Sequence, residues 1–109
     1  MSAASIGAMR LRVTLEAPID TPDDSGSMTR SYAPIADVWA KVTPLAGEAR
    51  FVAEREEQAI ASLALIRWRD DVTSRMRLVL GARKLLIHSV YDPDGRRRWL
   101  LCRCEDIET

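Results

Sequence analysis

The stretch "RLRVTLEAP", residues 10 to 18, alternates with period two. Leu11, Val13 and Leu15 fall on one side of an extended chain, and Arg10, Arg12, Thr14 and Glu16 on the other. Successive side chains of a strand point to opposite faces, so this is a strand with one face in a core and one in water. Strand chemistry returns at "DVWAKV" (37 to 42), "MRLVLG" (76 to 81), "RKLLIHSVYDP" (83 to 93) and "RRRWLLCRC" (96 to 104), with turn residues between. "AIASLALIRWR" (59 to 69) differs in being apolar on both faces up to Ile66, the mark of a strand covered on both sides. About six short strands at hairpin spacing in 109 residues predict a mainly β fold, a small antiparallel barrel or sandwich with one core.

The connections refine this. Residues 1 to 8 are small and featureless and read as a flexible arm, leaving 9 to 109 as a single barrel domain. "IDTPDDSGSMT" (19 to 29) carries proline, glycine, aspartates and hydroxyl residues, which predict a long acidic surface loop containing Asp20, Asp23, Asp24, Ser25 and Gly26. Pro34 implies a sheet edge or a bulge. "LAGEARFVAEREEQ" changes period, with Leu45, Ala49, Val52 and Glu56 on one stripe, and predicts one short helix inserted around residues 45 to 58. Asp92, Pro93, Asp94 and Gly95 fit a type I turn, so the last third is a meander.

Little in the chain suggests catalysis. Formal net charge is zero, from 16 basic and 16 acidic residues, so no overall field draws nucleic acid or an anionic membrane. His88 stands alone in a strand, and the paired aspartates at 23 and 24 and at 70 and 71 sit in turns where adjacent side chains diverge. Cys102 and Cys104, in a C-x-C on one strand, read as buried thiols of a reducing compartment; with one histidine they fall short of a structural zinc set. No nucleophile motif or phosphate loop is present. The expectation is a non-enzymatic protein with no cofactor, no metal and no membrane span, made in the cytoplasm.

Contact surfaces are the better candidates. If Val38, Ala40 and Val42 face the core, Trp39 lies outside between Asp37 and Lys41. Either the following helix folds back over it, or it anchors a subunit contact. On that helix Phe51 shares a face with Glu48, Arg55 and Gln58, so it borders the core or protrudes as an anchor, and Arg50 lies beside it. Arg96, Arg97 and Arg98 are either a solvated hairpin edge or a contact to an acidic protein surface or a nucleic-acid backbone. The basic residues are 14 Arg against 2 Lys, a bias seen at interfaces and equally produced by coding bias.

Taken in order, "MRLRVTLEAP", "SGSMTRSY", "VWAKVTPLAGEARFVAE", "LIRWRDDVTSRMRLVLGARKLLIHSV" and "RRRWLLCRCED" resemble the phage head-tail joining family, the head-closure or stopper proteins of long-tailed phages, prophages and gene transfer agents. The resemblance spans about residues 9 to 106 and rests on the combination of segments. It implies a small barrel with an attached helix, assembled as a homo-oligomeric ring of roughly six or twelve copies. Such a ring lies between a portal-side adaptor and the tail terminator or tail proteins, in the bacterial cytoplasm during assembly and then in the particle. Packaged DNA passes through without specific binding, and loops facing the channel close it; the candidate here is the loop with Asp20, Asp23, Asp24, Ser25 and Gly26, and the sequence does not choose which loop enters the channel. Interface candidates are Trp39, Glu48, Arg50, Phe51, Arg55 and Arg96 to Arg98. Two other readings are a tail-completion or tail-tube subunit, expected to build long tubes, and a small nucleic-acid-binding barrel using the arginine run, expected to lose DNA affinity steeply with salt.

Overall fold

The computed structural model describes residues 11–45 and 60–107. Six strands, β1 (Leu11–Pro22), β2 (Met28–Pro44), β3 (Ser62–Arg67), β4 (Arg77–Leu80), β5 (Arg83–Tyr91) and β6 (Trp99–Ile107), form one closed antiparallel barrel in the order β1-β2-β3-β6-β5-β4. Two three-stranded meanders are joined through β3 with β6 and through three rungs of β1 with β4, Thr14 to Glu16 against Arg77 to Val79. Closure removes sheet edges along the barrel wall.

The alternation read from the sequence sets the core. Val13, Leu15, Ala40, Ala64, Ile66, Leu78, Leu85, Ile87, Leu100, Cys102 and Cys104 point inward and are buried, with Val38 and Val42 packed against them. The interior is therefore filled with side chains and offers no lumen. The β3–β4 crossover spans one barrel end and closes it with Val72, Trp68 and Met76. As expected from Pro34, the register shifts there: Leu15 faces Ala36, Glu16 faces Pro34, and Ile35 is left over as a bulge. A second shift in the β5–β6 ladder leaves His88 unpaired in the backbone register.

Two expectations are corrected. Residues 19 to 29 are not a long loop: β1 runs to Pro22 and β2 starts at Met28, so only Asp23 to Ser27 turn. Asp23 N–H donates to Ser27 O across the turn. Donors alternate along a strand, so the nitrogens of Pro18 and Pro22 face the outer edge of β1, which has no neighbour beyond Glu16. The prolines therefore cost no ladder hydrogen bond, and the hairpin projects as a two-stranded ribbon. The last strand, read as residues 96 to 104, instead spans Trp99–Ile107. Asp92 and Asp94 take the backbone N–H groups of residues 94 to 97 and hold the arginine run in a loop.

Among the described residues there is no helix. The helix expected at 45 to 58, apart from Leu45, and the arm at 1 to 8 lie outside the described residues, as do Glu48, Arg50, Phe51 and Arg55.

Candidate functional site

Antiparallel order sorts the connections onto two ends. The ribbon, the β3–β4 crossover and the β5–β6 loop share one end; the start of β1, the β2–β3 connection, the β4–β5 turn and the end of β6 share the other.

The ribbon is stiffened along its length. Arg30 pairs with Asp20, directly opposite, through Nε at 2.7 Å and Nη2 at 3.1 Å. This bidentate contact holds the Asp20 carboxyl below its ordinary pKa. At the tip Asp23 Oδ1 accepts from the Ser25 hydroxyl and from the N–H groups of Ser25 and Ser27, and the hydroxyl contact chiefly lowers its pKa. Gly26 takes φ of 85°, a left-handed conformation that a side chain would strain. Of the three tip carboxylates one is neutralised and one builds the turn; Asp24 has neither role. At the root Arg77 pairs with Glu16, and its guanidinium lies 3.9 Å from the Tyr32 ring centroid. The Tyr32 hydroxyl donates to Arg75 O at 3.3 Å. Strand, crossover and ribbon are thus fastened at one place.

The outer wall over β2, β3, β6 and β5 carries apolar residues that the barrel does not need. Cross-strand pairing lines up Lys41, Leu65, Leu101 and Tyr91 in one row. Around this row, with Thr43, Leu63 and Pro93 at its margins, lies a largely apolar groove of about 260 Å³. Leu65 is buried from outside by Trp99, as the two-sided apolar pattern of β3 predicts, and Arg67 lies 5.1 Å from the Trp99 ring centroid. Trp39 does face outward and is 50% exposed; Arg12, opposite it on β1, lies 5.5 Å from its ring centroid.

The arginine run lies in the β5–β6 loop, just beyond Pro93. Arg98 is held by Asp94 at 2.7 Å, while Asp92 Oδ2 accepts the Arg97 N–H at 2.8 Å and fixes that residue at φ of 56°. Arg96 and Arg97 form no ion pair among the described residues, so the free cationic surface is two guanidinium groups rather than three.

Neither cysteine is placed for chemistry. Cys102 and Cys104 are free thiols inside the barrel, and burial raises the pKa of both, that of Cys102 to about 12. His88 Nε2 lies 2.7 Å from Glu105 Oε1 as a paired, half-buried group on the outer wall. Among the described residues no three His, Cys, Asp or Glu side chains come together as a metal site. Sequence reasoning turned Trp39 outward, put the arginine run on a strand rather than in the loop it occupies, and missed the groove. Its residues come from strands whose adjacency is fixed by the β3–β6 pairing, which no local pattern announces.

Known proteins sharpen these observations. The protein SF1141 from Shigella flexneri 2a has a solution structure similar to this one, with 23% identity, TM-score 0.72, and coverage of 94% of this chain and 96% of that one. A chain from the virion of a native gene transfer agent particle is also similar, at 21% identity and TM-score 0.63 over 90% of this chain and 94% of that one. At these identities the likeness is one of fold. No curated protein matches the chain. The phage head completion protein family matches residues 4–107, which takes in every strand of the barrel, and the chain therefore belongs to that family.

Proposed function

We propose that the protein is a structural subunit of the connector of a phage or gene transfer agent particle, forming a ring that joins the DNA-filled head to the tail and closes the channel. The observation that carries this is the family match over residues 4–107. The barrel adds physical support. Its interior is packed solid, so a passage for DNA has to run between subunits rather than through one. Its outer wall keeps apolar surface, Trp39 and the groove edged by Leu63, Leu101 and Tyr91, of the kind that subunit contacts bury. A ring contact joins two different patches of identical chains, and this molecule has distinct features to offer: a projecting ribbon and a grooved wall. The adaptor above and the tail protein below are the partners, and DNA passes without base-specific contact.

Deletion of the gene in its own phage or transfer agent, followed by electron microscopy of the lysate, tests the reading. Separate heads and finished tails are expected, with empty heads among them if the ring also retains DNA. Joined, infectious particles would overturn it.

A further inference from the structure

We propose that the ribbon tip of one subunit docks in the outer-wall groove of a second copy, with Met28 entering beside Leu65, Leu101 and Tyr91, and Asp24 facing Arg96 and Arg97. The inference deepens the ring reading above and rests on it. Met28, opposite Pro22 at the tip, is 62% exposed, a large apolar side chain held out on a projecting ribbon. Methionine is long and adaptable enough to enter a groove of about 260 Å³, which leaves room for neighbouring tip atoms.

Charge selects the same pairing. The ribbon end carries Asp20, Asp23 and Asp24 against Arg30 alone. No carboxylate lines the groove and Lys41 stands at its rim; Asp92 and Asp94, on either side of Pro93, are taken up by loop N–H groups and by Arg98, and Arg96 and Arg97 follow three and four residues after Pro93 with no ion pair among the described residues. An apolar tip with net negative charge thus meets an apolar groove with a positive border. The prolines at 18 and 22 remove two of the outward donors of β1, which leaves side-chain docking rather than strand addition as the way this end is used. The clamp of Glu16, Arg77 and Tyr32 fixes the ribbon before contact, which lowers the cost of ordering it.

Cysteine cross-linking tests this, since Cys102 and Cys104 are buried and unreactive. A chain carrying Met28→Cys and Tyr91→Cys, assembled into particles and mildly oxidised, should give a ladder of covalent multimers of this chain, absent from either single variant. Asp24→Arg should weaken the ladder and the yield of joined particles about tenfold, and adding Arg96→Asp with Arg97→Asp should restore both. Monomer only, or a disulfide to a different protein, in particles whose ring is visible by electron microscopy would overturn the docking and leave the ring reading standing. Particles with no ring of this chain would overturn both.

Discussion

At Asp23 a single carboxylate organises the ribbon tip, and its titration has a definite sign. Contacts with the Ser25 hydroxyl and with the N–H groups of Ser25 and Ser27 lower its pKa below the ordinary 3.8. The turn gains this support in full above that value and loses it as pH falls through the depressed one. Amide shifts of Ser25 and Ser27, followed by NMR, should therefore stay constant through neutral and mildly acidic pH and move together only below about pH 4. Asp23→Ala should abolish that transition while leaving the barrel intact. The segment is acidic as read, but its loop is shorter than read, because β1 and β2 pair up to Pro22 and Met28 and leave only Asp23 to Ser27 to turn, with Asp20 taken up by Arg30 and Asp23 by the turn itself.

Elements were legible where one local rule acted alone. The alternation of β1, β4 and β5, the proline bulge opposite Glu16, and the outward Trp39 all follow from period two and the missing proline donor. The ribbon was hidden because proline and glycine argue against strands unless the free edge is known in advance. A signal did exist, since Thr21 and Thr29, and Asp20 and Arg30, stand as mirror pairs about Ser25. The start of β6 was misplaced because side chains, not propensity, decide it: Asp92 and Asp94 take the N–H groups that a strand needs. If Pro18 and Pro22 protect the ribbon edge, Pro18→Thr with Pro22→Thr should restore its donors and promote association into larger species. Light scattering would show this as a concentration-dependent rise in mass, with unchanged mass the contrary result.

The whole molecule depends on its shortest strand. β4 has four residues, and through Leu78 it fills the core and joins the two meanders. Leu78→Ala should lower stability by about 3 kcal/mol, read from the denaturant midpoint. It should act on all strands together, because a closed barrel has no independent half. At the same scale Trp39, half exposed in the single chain, is expected to lose water on assembly. With Trp68→Phe and Trp99→Phe in place, its emission should shift to shorter wavelength in the particle, and an unchanged spectrum would remove Trp39 from the interface.

Closure also orders events in time. The proposed groove takes walls from β2, β3, β5 and β6, so it exists only after the last strand has been synthesised and has paired with the third. A chain still on the ribosome can form the β1–β2 hairpin, whose contacts are local, long before it possesses the surface proposed to receive it. On the proposed docking a growing chain presents a ribbon but no groove, so two unfinished chains cannot link to each other. Late closure of the barrel would then keep the proposed ring contact behind synthesis.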